Sequence, residues 1–143
     1  KSLAICEKLG DEHGSANTYH QLGIIAQVQQ NFADAEQRHK KSLAIKEKQG
    51  DGHGVAGSYN QIGNLAFLQK DYAGAAIWYL KALPIFPRFD DLDSFLTVAG
   101  NFILTLQATD SATQALLRQK WQQAGLEQLI PLDQLEQKLN EHN

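Results

Sequence analysis

The sequence predicts an all-α fold in which antiparallel helical hairpins stack one on the next. Three observations carry this. The chain matches itself at a shift of 40, with 19 of 40 positions identical. Within each copy, small and apolar residues recur at helical spacing. Gly-Asp and Lys-Asp steps stand where one helix must stop and the next begin.

The copies are read by superposing the chain on itself. Lys1-Ser2-Leu3-Ala4-Ile5 falls on Lys41-Ser42-Leu43-Ala44-Ile45, Gly10-Asp11 on Gly50-Asp51, and His13-Gly14 on His53-Gly54. Residues 1–9 are therefore expected to be the tail of an earlier second helix. Helices are expected at about 12–29 and 32–49, then at 52–69 and 72–85. In the second pair Tyr59, Ile62, Gly63 and Ala66 form one stripe, and Tyr72, Ala75, Ala76 and Tyr79 another. Asp71 suits the N-cap between them. Gly50 suits a left-handed C′ position and Asp51 the cap that follows. Glycine inside a helix costs roughly 1 kcal/mol, so Gly23, Gly63 and Gly100 are expected where two helices approach closely.

A third copy is worn. Val98-Ala99-Gly100-Asn101 aligns with Gln61-Ile62-Gly63-Asn64 at a shift of 37, and Ala112 then falls on Ala75. Pro84 and Pro87 account for the shorter spacing, since proline removes a helix N–H and clashes with the preceding turn. Helices are expected at 91–107 and 110–123. A last helix, 131–141, starts on Pro131 and carries Leu132, Leu135 and Leu139 as its apolar stripe. It would cap the open end of the stack, with Trp121 and Ile130 beneath it. The whole is expected to be one domain over 1–143. Its parts are a truncated repeat tail at 1–10, repeats at 11–50 and 51–87, a degenerate repeat at 88–123 and a cap at 124–143.

These residues resemble the tetratricopeptide repeat family. The second copy has Tyr59-x2-Ile62-Gly63-x2-Ala66, then Ala75-x3-Tyr79, Ala82 and Pro87; the first has Tyr19-x2-Leu22-Gly23-x2-Ala26, then Ala35-x3-His39. His39, Ala26 and Ala66 depart from the family's aromatic positions. The 40-residue spacing is similar to the long-hairpin branch, which includes kinesin-light-chain-like repeats and large bacterial multi-repeat proteins. The Gln-rich texture reads as bacterial. The resemblance implies a right-handed superhelix whose concave face, lined by the first helix of each hairpin, holds a protein or an extended peptide.

On that basis the groove face comprises Asn17, His20, Ile24, Gln27 and Val28 in the first copy. The second copy supplies Gly57, Asn60, Asn64, Phe67 and Leu68, and the third Ser94, Thr97, Asn101, Leu104 and Thr105. Carboxamides offer donors and an acceptor to a peptide backbone, and Phe67, Leu68 and Leu104 add apolar contact. Chaperone-binding relatives grip a terminal carboxylate with basic groove residues. The matching places here hold His20, Ile24, Gln61, Ser94 and Val98, so a neutral or mixed peptide is expected instead. The function expected is a protein–protein interaction scaffold, with a peptide-signal sensor or a structural spacer as the alternatives.

Composition narrows the rest. Hydrophobic residues make up 43%, enough for a packed core. Net charge is −3, without the clustered Lys and Arg that nucleic acid demands. No apolar run approaches the about 20 residues of a membrane span. Cys6 is the single cysteine, which fits a reducing, cytoplasmic setting. No enzyme activity, cofactor or metal is expected. Asp11-Glu12-His13-Gly14 has no phosphate loop to accompany it, and His13 and His53 lack further ligands. Asp90, Asp91 and Asp93 suit a helix start rather than calcium. Trp78 is expected to meet the next hairpin. The chain opens in mid-pattern, so a fragment of a longer protein is expected, able to self-associate through Leu3, Ile5 and Leu9.

Overall fold

The computed structural model describes residues 12–141, with side chains from 16 to 138 apart from Asn17. The expected tail helix at 1–9, with Cys6 and the face of Leu3, Ile5 and Leu9, lies outside the described residues, as does the side chain of His13. Seven α-helices occupy the described residues: α1 (Glu12–Val28), α2 (Phe32–Lys48), α3 (Gly52–Leu68), α4 (Tyr72–Ala82), α5 (Leu92–Gln107), α6 (Ser111–Gln123) and α7 (Leu132–Glu141). They pair as α1–α2 and α3–α4, and each pair packs on the next to give an all-α helical solenoid. No described helix is long and apolar enough to cross a membrane.

One turn design recurs every 20 residues. Gln30, Gly50, Lys70 and Asp90 all take left-handed backbone, with φ of 62, 70, 65 and 55°. In each case the next residue's N–H reaches back five residues: Asn31 to Ala26 O (2.8 Å), Asp51 to Lys46 O (2.9 Å), Asp71 to Ala66 O (2.9 Å) and Asp91 to Phe86 O (3.1 Å). Asp51, Asp71 and Asp91 then cap the following helix, accepting from the N–H of Gly54, Gly74 and Ser94. Asn31 makes no such side-chain bond.

This turn corrects the register of the third copy. Pro84 does end the fourth helix early, at Ala82 rather than 85. The 3₁₀ turn Phe86–Phe89 takes up the missing length. Asp90-Asp91 therefore arrives 40 residues after Gly50-Asp51, not 37. In this register Ile103, not Gly100, stands where Gly63 stands. Ala112, matched in sequence to the buried Ala75, is exposed, and α6 buries Leu117 and Trp121 instead.

Glycine sets how closely the first two pairs approach. A Cβ on Gly23 would sit 2.6 Å from the ring of His39, and one on Gly63 would sit 2.7 Å from the ring of Tyr79. The family aromatic thus lies flat on a missing side chain, and His39, with a smaller ring, does the same. In the third pair Ile103 removes that option. Helices α5 and α6 stand farther apart, and Trp121 fills the gap, stacked on Phe102 with ring centroids 5.4 Å apart. Helix α7 closes this end: Leu132 and Leu135 join the same buried cluster, with Ile130 at its edge. Arg118 ties α6 to α7 through Glu136 at 2.6 Å and Asp133 at 3.3 Å.

Trp78 turns back rather than forward. It lies against Tyr59 (5.8 Å between centroids) and the cluster of Leu43, Val55 and Ile62, under the ammonium of Lys81 at 4.5 Å. Its neighbours are thus residues of α3 in its own hairpin, in place of the expected next hairpin, in a cluster that Leu43 of the preceding hairpin completes.

Candidate functional site

Helices α1, α3 and α5 each contribute one face to two hollows. The first, about 290 Å³, is lined by Gln27 of α1, by Asn64, Phe67 and Leu68 of α3, and by Asn101 and Leu104 of α5, with Tyr79 of α4 at its base. The second, about 380 Å³, includes His20, Asn60 and Thr97 from the same three helices. Each of these lies seven residues before its counterpart in the first hollow. Two helical turns separate them, so the hollows sit side by side about 10 Å apart along the helices.

The first hollow combines apolar walls with amides. Leu68 and Leu104 are half exposed, and Phe67 packs edge-on against Tyr72 at 5.3 Å. Buried Tyr79 donates its hydroxyl to Asn64 Oδ1 at 2.6 Å. Burial pushes the Tyr79 hydroxyl well above its ordinary pKa, so it stays a donor at any physiological pH. That bond engages the carboxamide oxygen of Asn64, not its N–H donors, and Asn64 lines the hollow. Gln27 Oε1 is sheltered and has no donor.

The second hollow is lined by more charged and polar side chains. His53, Gly54, Gly57 and Gln61 of α3, Asp93, Ser94 and Val98 of α5, and Lys46 and Phe86 complete its lining. His53 bonds Asp91 at 2.7 Å, joining α3 to the start of α5. Hydrogen bonds from Ser94, then from His53, hold Asp91 down to about 2. His20 lies edge-on to His39, centroids 5.5 Å apart. Burial holds both imidazoles below the usual range, with Lys46 adding to the effect; His39 falls to about 4, neighbouring His20 contributing as well. Both ring nitrogens of His39 lack partners, which matches a neutral ring. Lys46 is itself lowered by burial, with Asp51 opposing the shift.

The sequence-selected residues thus divide. Gln27, Asn64, Phe67, Leu68, Asn101 and Leu104 meet at the first hollow, and His20, Gly57, Asn60, Ser94 and Thr97 at the second. Ile24 and Val28 line neither. Thr105, expected on this face, is buried, and its hydroxyl bonds Asn101 O at 2.8 Å. Asn17 lies within α1, and its side chain is outside the described residues. Lys46, Tyr79 and Phe86 were not selected from sequence, because that selection drew on first helices alone. The signal for two of them was present: positions 46 and 86 are one repeat apart, at the ends of the second-helix segments. Among the described residues no group of three or more His, Cys, Asp and Glu could hold a metal ion.

The chain matches no curated protein. Two overlapping stretches, residues 1–48 and 14–88, match the tetratricopeptide repeat model, which describes helical-hairpin modules that generally bind proteins or peptides and generally do no catalysis. With more than half of the chain matched and its hairpins packed through the family's glycine and aromatic positions, the chain belongs to the tetratricopeptide repeat family.

Proposed function

We propose that this chain is an interaction scaffold that holds an extended peptide or protein segment across α1, α3 and α5. The supporting observation is the first hollow. It joins Phe67, Leu68 and Leu104, which gain by losing water, to Asn64, Gln27 and Asn101, which can pair with a peptide backbone. Its 290 Å³ suits one apolar side chain of the segment as an anchor. The amide donors of Asn64, oriented by Tyr79, are already set in place, which lowers the entropy cost of capture.

The test is fluorescence titration of the purified protein against end-capped peptide pools with and without a central Leu or Phe. Saturable binding to the apolar pools is expected. Leu104→Asp and Asn101→Ala should weaken it at least about tenfold while leaving the helical circular dichroism unchanged. A structural spacer would show no saturable binding to any pool. A peptide-signal sensor would bind and also change its small-angle scattering profile.

A further inference from the structure

Lys46 is not accounted for by capture of a neutral segment. It lies in the last turn of α2, is 9% exposed, and donates to Ser58 Oγ at 3.3 Å. Among the described residues no carboxylate comes within salt-bridge distance of it. Asp51, the nearest influence of opposite charge, is engaged by the N–H of Gly54. One long hydrogen bond to a hydroxyl replaces only part of the hydration that a lysine ammonium has in water. Yet Lys46 is on the wall of an open hollow of about 380 Å³, not in a closed core. Ser94, Thr97 and the carboxamide of Asn60 stand around the same space. Asp93, exposed on the α5 side, lines the same hollow but forms no ion pair with Lys46.

We infer that the second hollow takes one carboxylate, an Asp or Glu side chain of the bound segment, with the Lys46 ammonium as its charge partner. This rests on the peptide-holding reading above. One sheltered cation matches one anion. The two hollows lie about 10 Å apart along the helices, roughly three residues of extended chain. A segment with an apolar residue and an acidic residue about three positions apart would therefore fill both. The carboxylate inferred is that of a side chain; a chain end placed here would also let the preceding residues reach the other hollow, so pools with a free C-terminus separate the two sources.

The test uses the full chain with ¹³C,¹⁵N-labelled lysine. Sodium acetate is titrated against sodium chloride at equal ionic strength. The Lys46 Cε resonance should shift saturably with acetate, while half-exposed Lys40 follows ionic strength alone. End-capped peptide pools with Asp or Glu are then compared with matched Asn or Gln pools, and with pools whose only carboxylate is a free C-terminus. The acidic side-chain pools should bind about tenfold tighter. Lys46→Met should erase that preference without lowering the melting temperature, since it keeps the stem and removes the stranded charge; Lys46→Gln is the second variant. Lack of saturation at Lys46 overturns the inference whatever the peptides do. Binding without acidic preference, or preference for the free C-terminus, also overturns it and leaves peptide capture standing. Acetate saturation with no peptide bound supports the carboxylate site and counts against peptide capture.

Discussion

Two glycines six residues apart on α3 should respond to alanine in opposite directions. At Gly57 an added Cβ meets nothing within 4 Å. Only the helix-propensity gain acts there, and Gly57→Ala should stabilise by about 1 kcal/mol. At Gly63 the Cβ would lie 2.7 and 2.9 Å from two ring carbons of Tyr79 and 3.3 Å from Ala75 O. The ring cannot swing away, because it is buried and its hydroxyl is tied to Asn64. Overpacking costs about 1–3 kcal/mol, and a strained or lost Tyr79–Asn64 bond adds about 1 kcal/mol. Subtracting the same propensity gain leaves Gly63→Ala destabilised by about 1–3 kcal/mol. Urea unfolding followed by circular dichroism at 222 nm measures both variants under one baseline. The midpoint should rise for Gly57→Ala and fall for Gly63→Ala. Equal midpoints would refute glycine as the spacer of this hairpin, and with it the account of why Ile103 and Trp121 hold the third pair apart.

Three further outcomes follow from the same geometry. Asp90 occupies the left-handed position that Gly50 fills one repeat earlier, so Asp90→Gly should raise the melting temperature, worth about 1 kcal/mol, whereas Gly50→Ala should lower it. His39 is held near 4 in the folded state against 6.5 for a free imidazole, so between those values the unfolded chain binds more protons. Stability is therefore full above about pH 6.5 and falls as pH drops toward 4, by at most about 1.4 kcal/mol per pH unit for this group; His39→Phe should flatten that part of the melting-temperature profile relative to the parent. Trp121→Ala should cost about 3–5 kcal/mol and expose the amides of α7 to hydrogen exchange before those of α3, and an unchanged exchange order would contradict its role beneath the cap.

Local chemistry made most of the helices legible in the chain itself. Gly50 and Asp51 sit at a left-handed residue and a side-chain cap, and Asp71 caps α4, because capping is decided by a few neighbouring residues. The stripe of Tyr59, Ile62 and Gly63 marked a packed face for the same reason: helical periodicity is a property of one segment. The third copy's sequence match, at a shift of 37, is displaced by three residues from the register of the fold, close to one helical turn. Such a slip keeps much of the apolar stripe in phase, and Asp90 carried out the glycine's turn without its sequence signature. Tertiary packing alone decided what meets at the hollows. Lys46 and Tyr79 reach them from second helices, Trp78 joins a cluster on α3 that Leu43 completes, and Tyr79 engages the carboxamide oxygen of Asn64. Those contacts join residues 12 or more positions apart, and their partners depend on how closely neighbouring helices approach, which no single segment encodes.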